Sequence, residues 1–526
     1  MNTISVLDCT LRDGGYCNQW KFGETNIKRI IKSLSDSYIN IVECGFLTNK
    51  VKYESDVSKF TTIDELNGVI PNSANSTLYV AMANFGEYDF NTLPQYSGKG
   101  ICGLRLAFHK KNVKEALKQA KIIINKGYKL FLQPMVSLCY SDEEFLDLIK
   151  AANELNPYAF YIVDSFGEMK RKDLTRLFYM IEHNLDENIF IGFHSHNNMQ
   201  LAYSNAQKLV EMQTSRNLII DSSVFGMGRG AGNLNTELFT EYLNECRNTS
   251  YDIKPLLAII DEVLNGFYQQ KSWGYSLPNY LSALHSAHPN YAFYLDDRKT
   301  LTVESMNEIF IRMDEDKKYE FDKSYIENLY LQYMAKGKTQ EAHKAELQKI
   351  LKGKEILLIG PGRTAEEEKE KICDYAKNNN VVTISINYEY PYCETDFVFI
   401  SNMRRFREYP TEKRNKCIIT ANIISDDVYL QTKYKDLLND VEIVRDNAGL
   451  MAIKFLMTYE ASKITLAGID GYSHDMTSNY VNNSMALIIE TSRLDAMNKG
   501  MCEVLMKLKS EIDISFLTTK KFLHLD

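Results

Sequence analysis

The chain has 526 residues, which exceeds one ordinary domain and predicts two or three. Hydrophobic residues make up 44% and charged residues 25%, as in a soluble globular protein, and a net charge of -8 gives no indication of a nucleic-acid partner. No basic segment followed by an apolar run opens the chain, and no stretch approaches the ~20 apolar residues that cross a bilayer. We therefore expect a cytoplasmic protein without a membrane span, whose scattered cysteines are reduced.

Short apolar runs separated by amphipathic stretches recur through the first 224 residues, at the interval typical of βα units. Eight strands alternating with helices predict a (β/α)8 TIM barrel. The predicted strands are 3–8, 39–45, 77–83, 101–107, 128–133, 159–164, 189–194 and 217–224.

The alternation stops near residue 250 and returns near residue 354. We therefore predict a barrel domain over 1–250, a helical extension and linker over 251–353, and a Rossmann-like α/β domain over 354–526. The sequence is compatible with a homo-oligomer and does not determine the oligomeric state.

The tripeptide His194-Ser195-His196 ends the seventh predicted strand. Because strand side chains alternate, both imidazoles point to the same side, and at the carboxyl end of a barrel strand that side faces the active site. Two neighbouring imidazoles form a ligand pair for a metal ion. An isolated H-x-H is more often a pair of polar loop histidines, so further motifs are needed.

Two such motifs follow the first and the eighth predicted strands. They are Asp8-Cys9-Thr10-Leu11-Arg12-Asp13-Gly14-Gly15 and Gly228-Arg229-Gly230-Ala231-Gly232-Asn233-Leu234-Asn235-Thr236-Glu237. Together with the histidine pair, they resemble the signature of the DRE-TIM metallolyases, the superfamily of 4-hydroxy-2-oxovalerate aldolase and HMG-CoA lyase. The resemblance covers about residues 1–300.

The resemblance implies a divalent metal ion bound by Asp13, His194 and His196, with Asn233 as an additional ligand. It also implies that Arg12 stabilises an enolate, the anion formed when a bond next to a carbonyl breaks. Oxygen and nitrogen ligands that leave coordination positions for water suit Mn²⁺ or Mg²⁺, and Zn²⁺ and Co²⁺ are the alternative ions.

Further polar residues end other predicted strands. Glu43 and Asp164 stand where superfamily members carry polar site residues, and each either touches the reacting groups or orients those that do. Arg105 points either to the same mouth or into the barrel wall.

Two departures from the family pattern bear on the reaction. HMG-CoA lyase carries a catalytic cysteine where this chain has Val224, which argues against that identity. The oxovalerate aldolases have a histidine base where this chain has Tyr16, which is either an acid, a base or an aromatic wall. Tyr280, after the barrel, is a further candidate for substrate contact.

In the last domain, Ile359-Gly360-Pro361-Gly362-Arg363-Thr364 follows a predicted strand and precedes a helix, so its backbone N–H groups could receive a phosphate. With Ser385–Tyr388, Phe399–Asn402, Asn447–Ala452 and Ile464–Tyr472, this order resembles the nucleotide-binding fold of a bacterial sialyltransferase family. The resemblance implies a nucleotide or nucleotide-sugar pocket lined by Gly360, Gly362, Asn387, Asn402 and Gly449, with His474 as a possible base.

The sequence thus predicts a metal-dependent carbon–carbon lyase of the aldolase type, acting on a small 2-oxo acid or aldehyde. By analogy of fold, the domain pairing suggests polysaccharide precursor synthesis. Two alternatives remain: an acyl-CoA-dependent Claisen-type synthase, and a glycan-assembly transferase whose barrel only supports the second domain.

Overall fold

A computed structural model describes residues 3–71, 76–298, 300–336, 343–482, 485 and 491–523. It divides into two compact units. The first comprises Met1–Phe293 with Glu315–Phe321, and the second comprises Tyr294–Asp314 with Asp322–Asp526.

The first unit is built on a parallel sheet of nine strands. They are β1 (Ile4–Asp8), β2 (Ile41–Leu47), β3 (Lys59–Phe60), β4 (Leu78–Asn84), β5 (Ile101–Phe108), β6 (Lys129–Pro134), β7 (Ala159–Asp164), β8 (Phe190–Ser195) and β9 (Leu218–Ser222). Their order is β1-β9-β8-β7-β6-β5-β4-β2-β3, and pairing of Leu7 with Ile41 joins β1 to β2. Eight strands therefore form a closed barrel, and the two-residue β3 lies outside it on β2.

Helices follow the barrel strands and cover the barrel from outside. They are α1 (Thr10–Asp13), α2 (Gly15–Asn18), α3 (Glu24–Asp36), α4 (Ile63–Asn67), α5 (Val113–Asn125), α6 (Asp142–Leu155), α7 (Arg171–Asn184), α8 (Ala202–Glu211) and α9 (Thr236–Arg247). In α3 the buried residues Ile27, Ile30, Ile31 and Leu34 recur at helical spacing. Such a stripe packs on a barrel while the opposite face stays in water.

The stretch 251–353 is helical, and its residues are shared between the two units. Its helices are α10 (Lys254–Ile259), a π-helical turn (Ile260–Leu264), α11 (Asn265–Gln270), α12 (Leu277–Leu284), α13 (Pro289–Asp296), α14 (Val303–Ile311), α15 (Lys323–Met334) and α16 (Lys344–Leu351). Part of the predicted linker, 337–342, lies outside the described residues.

The second unit contains a parallel sheet of seven strands. They are β10 (Glu355–Ile359), β11 (Val382–Ile386), β12 (Phe397–Ile400), β13 (Cys417–Thr420), β14 (Leu430–Thr432), β15 (Lys463–Ala467) and β16 (Asp513–Phe516). The order β14-β13-β12-β11-β10-β15-β16 reverses direction between β10 and β15. In doubly wound sheets, ligands bind at the carboxyl ends of the strands beside such a switch point.

Five helices accompany this second sheet. They are α17 (Thr364–Glu367), α18 (Lys369–Asn378), α19 (Met403–Glu408), α20 (Ala448–Thr458) and α21 (Thr491–Lys509). Six residues of α20 are buried, so this helix is covered on most of its surface. Its first turn lines the same cavity as the loops after β10 and β15.

The structure confirms the predicted fold class, a TIM barrel followed by a second parallel α/β sheet. All eight predicted barrel strands are present, and a strand precedes the glycine turn as predicted. The strands β3, β14 and β16 were not predicted; β3 and β14 have only two and three residues, too few for an alternation to be recognised. Within the described residues, no helix has the length and apolar character needed to cross a membrane.

Candidate functional site

Asp13, His194 and His196 converge at the carboxyl end of the barrel. His194 Nε2 lies 3.5 Å from Asp13 Oδ2, and His196 Nε2 lies 3.7 Å from the same oxygen. Two ligand atoms about 2.1 Å from one ion, at angles of 90–110°, stand roughly 3.0–3.4 Å apart. Each imidazole nitrogen therefore stands close to the separation from the Asp13 carboxylate that ligation of one ion requires.

Asn233 lies beside these three residues. Its Nδ2 donates to Asp13 Oδ2 at 2.7 Å, and its backbone forms an isolated bridge with His196. The preceding Gly232 has a positive φ of 83°, and a Cβ there would collide with the carbonyl oxygen of Gly226. Glycine at this position thus allows the loop after β9 to carry Asn233 into the site.

Buried ion pairs connect Arg12 to the barrel interior. Arg12 Nε donates to Glu43 Oε2 at 2.8 Å, and the same oxygen lies 2.9 Å from Arg105 Nη1. Arg105 also pairs with Asp221, and Arg12 Nη1 lies 3.0 Å from Asp13 Oδ1. Breaking one such buried pair typically costs about 3–5 kcal/mol, so the network fixes the Arg12 guanidinium.

The network also orients His194. Asp221 Oδ2 lies 2.9 Å from His194 Nδ1, which places the proton on that nitrogen and leaves Nε2 facing Asp13. Asp221 was missed by the sequence reasoning. Its signal was present: an aspartate inside the otherwise apolar run Leu218-Ile219-Ile220-Asp221, in the same way as Arg105 interrupts β5.

Several polar atoms here are buried without a hydrogen-bond partner among the described residues. They are Arg12 Nη2, Glu43 Oε1, His196 Nδ1 and Asn233 Oδ1. Since an unsatisfied buried polar atom typically costs about 1–3 kcal/mol, their concentration at one point indicates a ligand site. The donor set of one carboxylate, two imidazoles and one amide oxygen fits a divalent metal ion.

Protonation states agree with this fit. Although burial raises the pKa of Asp13, the neighbouring Arg12, His196 and His194 hold it well below its usual range, so the carboxylate is ionised. Burial lowers the pKa of His196 to about 3, so its imidazole is neutral. Metal ligation requires both states.

Cys9 is a further metal-ligating side chain that the sequence reasoning did not select. Its Sγ lies within 4.8 Å of ligand atoms of Asp13 and His194. However, the thiol donates to the Ser222 carbonyl at 3.2 Å, and burial raises its pKa well above the usual value. Cys9 therefore lies beside the site as a neutral thiol bonded to the Ser222 carbonyl.

Tyr16 lies at the barrel mouth, about one-third exposed. Its ring packs edge-on against Trp20 with centroids 4.7 Å apart, and the Arg229 guanidinium lies 5.6 Å from its centroid. Arg229 Nη2 also donates to the Ser165 carbonyl at 3.0 Å. Burial raises the pKa of Tyr16, so the hydroxyl is protonated at neutral pH and can donate a hydrogen bond.

Two other predicted residues lie apart from the convergence point. Asp164 accepts from the Glu168 and Met169 amides at 3.0 and 3.1 Å, while its backbone carbonyl accepts from the His196 amide at 3.1 Å. Its carboxylate thus holds the loop after β7. Tyr280 is 36% exposed, and its ring lies 6.3 Å from that of Tyr275.

Comparisons with known proteins agree with this geometry. Residues 103–263 match the HMGL-like family. A 4-hydroxy-2-oxovalerate aldolase from Geobacillus genomosp. 3 is 26% identical over 246 residues, which cover 46% of this chain and 70% of the relative. One from Pseudoalteromonas translucida (strain TAC 125) is 24% identical over 267 residues, covering 50% and 76%. The barrel is therefore similar to HMGL-like proteins and to these aldolases.

A solved structure extends the comparison to the fold of the barrel. The N-terminal domain of a Bacteroides vulgatus protein described as an aldolase matches at 25% identity with a TM-score of 0.50. The match covers 58% of this chain and 99% of that chain. The resemblance of the second unit to a sialyltransferase family stays a prediction.

A cavity in the second unit brings together the five residues predicted there. Gly360, Gly362, Asn387, Asn402 and Gly449 all line it. The lining comes from the loops after β10, β11, β12 and β15, and from the first turn of α20, so the cavity lies beside the switch point of the sheet. His474 is not among the lining residues; its Nε2 lies 2.8 Å from Asp495 Oδ1 on an exposed surface.

The glycine turn after β10 corrects one expectation. Gly360 N donates to the Ala467 carbonyl, Gly362 N to the Gly468 carbonyl and Thr364 N to Asp470 Oδ2, each at 2.8 Å. The prediction that these amides receive a phosphate was wrong for all three, because β15 and the loop after it already accept their hydrogens. The following helix α17 also has only four residues.

Proposed function

We propose that the barrel is a divalent-metal-dependent aldolase, which breaks or forms a carbon–carbon bond next to the carbonyl of a 2-oxo acid. The observation that carries the proposal is the approach of His194 and His196 to one carboxylate oxygen of Asp13, with the Arg12 guanidinium fixed beside it. Support also comes from the relatives named 4-hydroxy-2-oxovalerate aldolase.

Asp13, His194, His196 and Asn233 would hold the ion. When bound, a divalent ion supplies a Lewis acid that polarises the 2-oxo carbonyl. We propose Mn²⁺ or Mg²⁺, because carboxylate and amide oxygens contribute half of the set, and Zn²⁺ and Co²⁺ are the alternatives.

In the cleavage direction, the hydroxyl of a 4-hydroxy-2-oxo acid transfers its proton to solvent water as the bond between carbons 3 and 4 breaks. The products are an aldehyde and an enolate, which is protonated to pyruvate. The oxygen of this enolate becomes anionic, and Arg12 offers Nη2, which is buried and has no partner among the described residues. Since Glu43 and Asp13 already hold the guanidinium, no reorganisation is needed when the charge develops.

The remaining site residues support this step. Glu43 keeps Arg12 oriented. The Asp164 carboxylate holds the loop after β7, and the Asp164 carbonyl accepts from the His196 amide. Tyr16, protonated at neutral pH, donates a hydrogen bond to the oxygen of the hydroxyl or aldehyde group and donates a proton in the condensation direction.

For the second unit, we infer binding of a nucleotide or nucleotide sugar. The specific support is the cavity at the switch point, lined by the glycine turn and by Asn387, Asn402 and Gly449. By analogy of fold, the pairing of such a unit with an aldolase supports a place in polysaccharide precursor synthesis.

A pyruvate-release assay tests the aldolase proposal. The full chain is incubated with a panel of 4-hydroxy-2-oxo acids in the presence of Mn²⁺, Mg²⁺ or Co²⁺. Metal-dependent pyruvate release from one member supports the proposal. Thiol release from acetyl-CoA with a 2-oxo acid would replace it with the Claisen-type synthase, and sugar transfer from a nucleotide sugar without any pyruvate release would favour the glycan-assembly transferase.

A further inference from the structure

The cavity of the second unit has a side on which donors remain unpaired. Arg298 and Arg493 both line the cavity, and the Nε of each is buried without a hydrogen-bond partner among the described residues. Arg298 has 9% of its side chain exposed, and Arg493 has 28%. Each buried unpaired donor is costly, so two of them in one cavity indicate that a ligand accepts from them.

The other donors of these arginines are engaged, which fixes both guanidinium groups. Arg298 Nη2 donates to the Tyr294 hydroxyl at 2.5 Å and to Glu442 at 2.8 Å. Arg493 Nη1 and Nη2 donate to Asp297, at 2.6 Å to the carboxylate and 2.9 Å to the carbonyl. A preorganised guanidinium loses little conformational freedom on binding an anion.

Helix α20 points its first turn at the same cavity. Asn447, Ala448 and Gly449 line it, and Asn447 Oδ1 accepts from the Leu450 amide as the N-terminal cap. The helix has eleven residues, and its first turn contains no acidic residue. The positive end of the helix dipole therefore adds to the charge of the two arginines.

The acidic residues of the cavity are already engaged. Asp470 accepts from Thr364, and Asp297 pairs with Arg493. Asp446 accepts from the Thr300 and Tyr434 hydroxyls at 3.1 and 3.2 Å. A phosphate in the glycine turn would face the Asp470 carboxylate, whereas one beside Arg298 and Arg493 would meet fixed donors.

We propose that the cavity binds its ligand through a phosphate group placed against Arg298, Arg493 and the first turn of α20, and not in the glycine turn. This inference rests on the proposed nucleotide-binding function and gives the position of the anion within it. The phosphate pairs with the guanidinium groups of these two lining arginines, and the glycine turn supports the sheet and contacts an uncharged part of the ligand.

Calorimetry on the full chain tests this placement, with CMP, UMP, AMP and GMP as probes and the corresponding nucleosides for comparison. We expect at least one nucleotide to bind about 10-fold or more tightly than its nucleoside. Arg493→Gln should weaken nucleotide binding about 10- to 100-fold, the usual loss for a charge-assisted hydrogen bond, and should leave nucleoside affinity unchanged. Arg298→Gln should act in the same direction.

Arg363→Gln is the matched control, because Arg363 lies in the glycine turn and pairs with Glu366 at 3.1 Å. It should change nucleotide affinity less than about threefold. Equal affinity for nucleotide and nucleoside, or a larger loss in Arg363→Gln than in Arg493→Gln, would overturn the placement while nucleotide binding stands. Absence of heat with every nucleotide and nucleoside would overturn nucleotide binding and the placement together. Unchanged thermal unfolding of Arg493→Gln ensures that a lost affinity is not lost folding.

Discussion

The barrel mouth and the glycine turn of the second unit both lie where parallel strands end, but their polar groups are in opposite states. At the barrel mouth, Asn233 Oδ1 and Arg12 Nη2 are buried without partners among the described residues, although a hydrogen bond and an ion pair to Asp13 hold the side chains that carry them. In the glycine turn, the amides of Gly360 and Gly362 are bonded to neighbouring carbonyls. A position at the end of a strand is therefore not enough to form a ligand site. A ligand site also needs polar groups that the fold holds in place without giving them a hydrogen-bond partner.

The largest expected effect comes from Arg12, whose free nitrogen is the clearest difference from the glycine turn. Arg12→Lys keeps the charge but loses the fixed fork, so kcat for pyruvate release should fall about 10²- to 10³-fold, or about 3–4 kcal/mol, with a much smaller change in KM. Metal content should stay at the wild-type level, since Arg12 is not a proposed ligand. Turnover close to wild type would remove Arg12 as the enolate stabiliser.

The second prediction contrasts Asp8 with Asp13, two buried aspartates of one motif. Arg12 keeps Asp13 ionised, whereas burial raises the pKa of Asp8 to about 6 from an ordinary value of 3.8, despite hydrogen bonds from Thr236 and Thr10. Because the folded chain holds this proton more tightly than the unfolded chain, the Asp8 contribution to stability is lost as pH rises from about 4 to about 6. The loss is at most about 3 kcal/mol.

Asp8→Asn should lack this pH-dependent loss of stability, because an amide side chain does not titrate between pH 4 and 6. The difference in unfolding free energy between variant and wild type should therefore shift in favour of the variant as the pH rises, as measured by urea unfolding at pH 4, 5, 6 and 7. A difference that stays constant across this range would show that Asp8 is ionised with an ordinary pKa in the folded protein.

The third prediction separates two aspartates near the barrel mouth, Asp221 and Asp164. Asp221 holds His194 Nδ1, so Asp221→Asn should weaken metal affinity about 10- to 100-fold, as is typical when the partner of a ligating histidine is lost. Asp164→Asn is the control, since its carboxylate accepts from loop amides and should alter metal affinity less than about threefold. Equal losses in a metal titration of the two variants would contradict the orienting role of Asp221.

The smallest effect is expected in the glycine turn. Asp470→Ala removes the acceptor of the Thr364 amide and should lower the free energy of unfolding by about 1–2 kcal/mol, like the loss of a helix cap. Nucleotide affinity should rise or stay constant, because a carboxylate beside the cavity disappears. A fall in affinity without a fall in stability would mean that Asp470 binds the ligand, and the contrast between the two regions would weaken.

The same contrast explains what the sequence could predict. His194 and His196 form a side-chain motif whose geometry follows from strand alternation, so their convergence with Asp13 was predictable. Arg105 was ambiguous because its direction depends on Glu43 and Asp221, which lie on other strands. These long-range pairings have no local signal beyond a charge in an apolar run.

The glycine turn shows the opposite case. A motif of backbone amides predicts a phosphate site only if those amides stay unpaired, and this depends on β15 and Asp470, about 100 residues further along the chain. Arg298 precedes the predicted second domain, so no local pattern connected it with the cavity that it lines. In the glycine turn and at Arg298, residues distant in the sequence therefore determine which donors are available to a ligand.

Metal removal and stoichiometric restoration test the central claim most directly. The full chain is stripped with a chelator, and pyruvate release from the substrate found in the panel is measured as Mn²⁺ is added back. The account predicts loss of activity on stripping, recovery that is complete near one equivalent per chain, and neither binding nor recovery in His194→Ala. Full activity in the stripped protein, or recovery in His194→Ala equal to wild type, would contradict a metal-dependent aldolase at this site.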